Sequence, residues 1–211
     1  MPLDLYLGYL IACIVILSIP GPTILLVISY SISQGPRANI PLIAGVALGD
    51  TLAISLSLAG LGALLATSAF WFGLLKWLGG LYLIYLGIKL LRNKTTLTSI
   101  DPSIPPRSAR ALFTSSFVVT ALNPKSIVFF VALLPQFISA GHVVTPQLWI
   151  LGVSFVVLAI CACSFYAMFA NRLRLMLSTA TAQRWFNGAG GSLLCVAGVW
   201  ALMAKRVINA A

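Results

Sequence analysis

The sequence predicts an all-α integral membrane protein: six transmembrane helices arranged as two inverted three-helix repeats, with the first and fourth helices broken at proline motifs. Three observations carry that prediction. Of 211 residues, 60% are hydrophobic and only 8% charged, with a mean hydropathy of +1.05. A soluble domain carries about 25% charged residues, so this chain could not cover a water-facing surface. The apolar residues gather in six stretches, roughly 5–32, 40–66, 69–91, 111–138, 146–170 and 186–204, and each can span the hydrocarbon layer, which needs about 20 helical residues. Two of the stretches, one in each half, contain helix breakers: Pro20-Gly21-Pro22 and Asn123-Pro124-Lys125.

The first stretch is too long for one straight span, since about 28 residues would rise ~42 Å. Its Pro20 and Pro22 lack amide hydrogens, which frees the carbonyls of Ile16 and Ser18. No signal peptide is expected, because the N-terminal segment carries Asp4, has no basic region and is followed by too long an apolar run. The second stretch holds a G-x-x-x-G element, Gly45 to Gly49, directly before Asp50. Close helix approach explains such spacing without a ligand. The third carries Gly79-Gly80 and Gly87, with Lys76 inside the helix.

The link at 92–110, with Asp101-Pro102 and Pro105-Pro106, reads as a cytoplasmic hinge between the halves. The fourth stretch repeats the excess length of the first, and Pro124 frees the carbonyl of Thr120. In the fifth, Cys161 and Cys163 fall on different helix faces and, like Cys13 and Cys195, read as small buried hydrophobes. Tyr82, Tyr85 and Tyr166 read as packing or interface residues, and His142 as a solvated loop residue. The sixth stretch carries Gly190-Gly191 and Gly198.

Net charge is +10, but the basic residues lie between the apolar stretches, where they set orientation and form no nucleic-acid patch. Arg37 marks the first link; Lys89, Arg92, Lys94, Arg107 and Arg110 the third; Arg172, Arg174 and Arg184 the fifth. These links are expected in the cytoplasm and both termini outside, although the tail pair Lys205 and Arg206 opposes that orientation. A five-span arrangement with one re-entrant stretch is the alternative.

The halves resemble one another. At an offset of 103, Pro20-Gly21-Pro22-Thr23-Ile24 lies over Asn123-Pro124-Lys125-Ser126-Ile127, and Gly49 over Gly152. At an offset of 111, Gly79-Gly80 and Gly87 lie over Gly190-Gly191 and Gly198. Three spans per half is an odd number, so the repeats would be inverted, as in many transporters. The chain then reads as one domain, with repeat one at about 1–91, the linker at about 92–110 and repeat two at about 111–211.

Helix breaks at membrane depth are tolerated where backbone is buried in protein or lines a polar cavity. The half-helices that follow the breaks offer amides and a positive dipole end to a carboxylate. The freed carbonyls suit an ammonium, so an α-amino acid would meet both. The candidate binding residues are Pro20, Gly21, Pro22, Thr23, Asp50, Asn123, Pro124 and Lys125. A proline kink satisfied by a neighbouring hydroxyl is the competing explanation. Asp50 is the only carboxylate deep in a stretch; burying its charge costs about 2.5–3.5 kcal/mol or more. It could bind a proton or a substrate ammonium, or pair structurally with Lys125. Lys125 could instead snorkel. The Asn123 amide could satisfy the broken backbone or touch substrate.

Taken in order and spacing, Pro20-Gly21-Pro22, Gly45…Gly49-Asp50, Gly79-Gly80-Leu81-Tyr82-Leu83…Gly87 and Asn123-Pro124-Lys125 resemble the LysE/RhtB amino-acid exporter family along nearly the whole chain. The resemblance implies a bacterial inner-membrane protein that expels amino acids or close analogues by proton-driven antiport, with protons and a small-molecule amino acid as partners. It implies no cofactor, metal or enzymatic activity. Small-residue faces could serve a homodimer or internal packing. A thiol–disulfide carrier would need a redox cysteine in the fourth stretch, which has none. A metal-ion exporter wants several oxygen or nitrogen ligands, and one buried carboxylate is a poor supply. An intramembrane enzyme lacks a catalytic constellation, and a non-transporting scaffold would leave the breaks unexplained.

Overall fold

The computed structural model describes residues 1–67, 69–92, 105–139, 142–176 and 179–203. The expected hinge at Asp101-Pro102, Lys94 and the tail pair Lys205 and Arg206 lie outside these residues. Every described apolar stretch is helical, and the described residues contain no strand.

Helix α1 runs Leu3–Ser18, with Asp4 in its first turn, where a carboxylate complements the dipole. It stops because Ile19 precedes a proline and is pushed into extended backbone, at φ −85° and ψ 111°. Helix α2, Pro22–Gln34, restarts the chain with Pro22 in its first turn, the one helical position where a missing N–H costs nothing. It ends at Gly35, whose φ of 69° favours glycine. A short 3₁₀ turn, Gly35–Ala38, leads into α3, Asn39–Thr67, and α4 covers Ala69–Arg92.

Helix α5, Ala109–Ala121, is capped by the Ser108 hydroxyl, which accepts from the Ala111 amide. The chain breaks at Leu122-Asn123 and resumes as α6, Pro124–Val128. Beyond it the fourth stretch leaves regular α-helix a second time, which was not expected. A π turn follows at Phe129–Leu133 and a 3₁₀ turn at Leu134–Phe137. Pro135 cannot donate to the Val131 carbonyl, and the Leu134 amide reaches back five residues to Phe129. Helix α7 spans Val144–Met168, α8 Ala170–Met176 and α9 Ala180–Met203.

Segments Pro22–Gly60, Ala109–Phe137 and Val144–Met168 are long and apolar enough to cross a bilayer, and Leu3–Ser18 and Asn187–Met203 are shorter apolar helices. Their outward faces are oily. Leu7, Ile11 and Ile14 on α1, Leu48, Leu52 and Leu56 on α3, and Trp149, Val153 and Val157 on α7 are all exposed. Such stripes would be an aggregation hazard in water and are the lipid-facing surface of a multi-pass membrane protein.

Glycines bring three pairs of helix surfaces together. On α3, Gly45 lies against the Phe113 carbonyl and the Ser116 hydroxyl of α5, and a Cβ at Gly49 would fall 2.8 Å from Phe117 O and Thr120 Cβ. On α4, Gly80 faces the Gly198 carbonyl of α9 and Gly87 faces that of Gly191. Gly79 backs onto Ala132 in the π turn. Helix α1 is tied to α7 by Tyr9, whose hydroxyl donates to the Leu151 carbonyl at 2.9 Å, and by a 2.8 Å bond between Tyr6 and Ser154.

Two buried clusters flank the middle of the molecule. One is aromatic and includes Tyr9, Phe129, Phe130, Phe137 and Phe155. The other, nearer the Gly35 turn, gathers Val27, Tyr30, Leu42, Val46, Leu112 and Cys163. The polar site lies between them.

Candidate functional site

The two chain breaks meet. Thr23, in the first turn after the first break, accepts from Asn123 Nδ2 at 3.2 Å and from Thr120 Oγ1 at 3.3 Å across the second. All three side chains are buried, so this is a hydroxyl–amide knot linking segments about a hundred residues apart. The Lys125 stem runs alongside Gly21, where a Cβ would sit 3.6 Å from its Cε and Nζ.

Three freed carbonyls in the first break have found donors from the second half. Lys125 Nζ donates to Ile16 O at 3.0 Å and to Ile19 O at 2.6 Å. The Tyr166 hydroxyl donates to Ser18 O at 2.7 Å. Two of the carbonyls, Ile16 and Ser18, were expected from the prolines alone. That of Ile19 adds to them because its residue is extended and leaves the helix. In the second break, the Thr120 carbonyl accepts from the Asn123 amide at 3.0 Å.

The helix starts that follow the breaks differ. Asn123 Oδ1 accepts from the Lys125 amide at 3.1 Å and caps α6. No side chain caps α2, whose capping position is Gly21. The unpaired first-turn amides and positive dipole end are therefore at α2. The Asn123 side chain serves the broken backbone and the Thr23 hydroxyl together.

Asp50 is 3% exposed, and its Oδ1 has no hydrogen-bond partner. It follows Gly49, the residue that seats α3 on the last turn of α5, so packing fixes its position beside the second break. The structural ion pair with Lys125, one of the alternatives for Asp50, is not formed. The two groups interact electrostatically, but the ammonium is committed to backbone carbonyls. Its reach explains this: the stem passes Gly21 straight to carbonyls that have lost their helical donors. A buried polar atom without a partner costs about 1–3 kcal/mol, more when charged, so nearly all such atoms in native proteins are bonded. Among the described residues, Asp50 Oδ1 is the exception.

The structure thus gathers Pro20, Gly21, Pro22, Thr23, Asn123, Pro124 and Lys125 in one place, with Asp50 held beside them by the α3–α5 contact. The sequence reading missed Tyr166, which binds the first break instead of merely packing, and Thr120, whose hydroxyl completes the knot. Thr120 carried a faint signal, three residues before the break; Tyr166 carried none. The π turn also went unforeseen, although Pro135 was a visible cause.

The profile of the family described as LysE type translocator matches residues 14–205. A Vibrio cholerae serotype O1 protein named only as an uncharacterized membrane protein is 34% identical over 205 residues, 97% of this chain and 100% of its own. A homoserine/homoserine lactone efflux protein of Salmonella typhimurium is 33% identical over 206 residues, 98% of this chain and 100% of its own. A leucine efflux protein of Klebsiella pneumoniae subsp. pneumoniae is 32% identical over 162 residues, 76% of each chain. No solved structure matches. With a family profile spanning nearly the full length and relatives aligned end to end, the chain belongs to the LysE type translocator family.

Proposed function

We propose that this protein exports amino acids or close analogues from the cytoplasm across a bacterial inner membrane. Transport is by proton-coupled antiport, with alternating access between two inverted three-helix repeats. Repeat one covers about 1–91 and repeat two about 111–211, joined by a cytoplasmic linker at about 92–110, with both termini periplasmic. The names of the Salmonella and Klebsiella relatives support the cargo class. The α4–α9 contact supports the repeats. Under the 111-residue offset Gly80 becomes Gly191 and Gly87 becomes Gly198, so the packed pairs Gly80–Gly198 and Gly87–Gly191 exchange with each other. Reciprocal pairing of that kind is what a two-fold axis produces.

The observation that carries the mechanism is Asp50 Oδ1, buried and unpartnered beside two interlocked chain breaks. A cargo ammonium supplies the missing partner, and the cargo carboxylate meets the uncapped first turn of α2 and the Lys125 ammonium. Rocking of the repeats opens the site outward. A proton taken up by Asp50 from outside neutralises the carboxylate, releases the ammonium and permits the return. No enzymatic step is involved.

Asp50→Asn keeps the size of the side chain and removes the titrating group. Cells loaded with leucine, homoserine or homoserine lactone should lose gradient-driven export with this variant, while its amount in the membrane stays at the parental level. Export at the parental rate by Asp50→Asn would reject the role of Asp50. Absence of export for all three cargos with the parent would reject the cargo class.

A further inference from the structure

A second polar pocket, of about 390 Å³, opens between the end of α2 and the segment entering α5. Its described lining includes Ser33, Gln34, Arg37 and Arg107, with Ala38 and Leu112 at the buried end, and none of the described lining residues is acidic. Two guanidinium groups therefore share a pocket with no carboxylate among its described lining residues.

Arg107 is held in place from four directions. Gln34 grips its backbone at both ends, Oε1 accepting from the Arg107 amide at 2.7 Å and Nε2 donating to its carbonyl at 3.1 Å. The guanidinium donates to Ser115 Oγ at 3.1 Å and lies over the Tyr30 ring, 5.4 Å from the centroid. A guanidinium offers five donors in a planar fork, so most of Arg107's remain for a ligand. Orientational membrane charge needs no such clamping, because the positive-inside effect counts charges and not their geometry.

The pocket also lies on a route. Tyr30, Ala38 and Leu112 belong to the apolar cluster that includes Val46 and Cys163. Val46 is one helical turn before Asp50 on α3, and Cys163 packs into the same cluster from α7. The cluster is a plug: pocket on one side, polar site on the other, with Tyr30 touching Arg107 at the pocket end.

We propose that this pocket is the inlet where the cargo's carboxylate first docks, on the paired guanidinium groups of Arg37 and Arg107. Capture of a carboxylate by the free donors of Arg107 draws the guanidinium off the Tyr30 ring, and so loosens the plug below. The inference rests on the export reading above and deepens it. A phosphate headgroup presents similar oxygens, so the test separates the two sources.

The purified full chain is reconstituted inside-out, and uptake is measured for leucine against leucinamide and for homoserine against homoserine lactone. Each pair keeps the amine and loses the carboxylate. The readout is the ratio of uptake efficiencies within a pair, which is insensitive to how much protein is folded. The parent should favour the carboxylate partner. Arg37→Gln and Arg107→Gln should each lower that preference about fivefold, the scale of one exposed charge-assisted pair, and Arg37→Lys should recover part of it. Unchanged ratios in both Gln variants would overturn the inlet while leaving export intact. An effect that exists only in vesicles containing phosphatidylglycerol, and vanishes in phosphatidylcholine, would assign the pocket to lipid headgroups instead. If the parent moves none of the four probes, the export reading falls and the inlet falls with it.

Discussion

Replacing Lys125 with Met removes an ammonium that donates to Ile16 O at 3.0 Å and Ile19 O at 2.6 Å. A hydrogen bond from a charged group is worth about 1.5–3 kcal/mol, and both acceptors belong to residues only 4% exposed. Two such bonds sum to about 3–6 kcal/mol. Against this, Met no longer carries a charge into a half-buried position, which returns part of the loss. The net expectation is a destabilisation of about 2–4 kcal/mol, or ~5–15 °C in Tm for a chain of this size. Thermal unfolding of the purified protein in detergent micelles measures it. Asp50 and Lys125 form no direct ion pair but their charges interact, so Asp50→Asn and Lys125→Met should couple by about 0.5–1 kcal/mol. A Tm for Lys125→Met within 1–2 °C of the parent would refute the carbonyl cage as a stabilising element. A coupling of about 2 kcal/mol or more in the double variant would restore the direct pair.

Two further substitutions probe the walls of the site. Gly49→Ala introduces a Cβ 2.8 Å from Phe117 O and Thr120 Cβ, so α3 must lift off α5. Overpacking of that kind costs about 1–3 kcal/mol, and export should fall several-fold because Asp50 moves with the helix; a variant with parental Tm and parental export would contradict the seating role. Tyr166→Phe deletes only the hydroxyl that donates to Ser18 O at 2.7 Å. It should lower stability by about 1 kcal/mol in the same unfolding assay, and no change would mean that Ser18 O finds another donor.

The breaks were legible because their cause is covalent. Pro20, Pro22 and Pro124 lack an amide hydrogen in any fold, so the carbonyls of Ile16, Ser18 and Thr120 had to look elsewhere. What they would find was not legible, since it depends on which helices touch. Lys125 was one candidate partner for Asp50, as an opposite charge that also lies within a span. The structure weighs that against two unsatisfied carbonyls within the reach of one ammonium, and the carbonyls hold it. Tyr166 illustrates the same limit, because its partner Ser18 lies 148 residues away and a tyrosine in a membrane helix has many ordinary uses. The glycines were half readable. Gly45 and Gly49 announced a close approach, but their spacing did not say that the partner would be α5, and that partnership is what brings Asp50 to the second break. The π turn marks an oversight of another kind, for Pro135 removes a helical donor just as Pro124 does.

The lysine's position bears on how the site can work. Freed carbonyls were expected to receive the cargo's ammonium, yet the protein's own ammonium already fills that role at Ile16 and Ile19. A cargo amine that displaced it would forfeit two charge-assisted bonds before gaining any. Asp50 Oδ1 offers an acceptor with no bond to forfeit, so on the proposed mechanism an amine would bind there at lower cost. Lys125 is then free to keep its carbonyls or to turn toward the cargo carboxylate lying between it and the uncapped start of α2. Either way the charges of Asp50 and Lys125 sum to zero, and a zwitterion leaves that sum unchanged. A cargo with a net charge would bring an uncompensated ion into a low-dielectric chamber, where each such ion costs several kcal/mol. On the proposed mechanism the same balance fails if Asp50 takes up a proton while the amine is still bound, and that imbalance would drive the amine out.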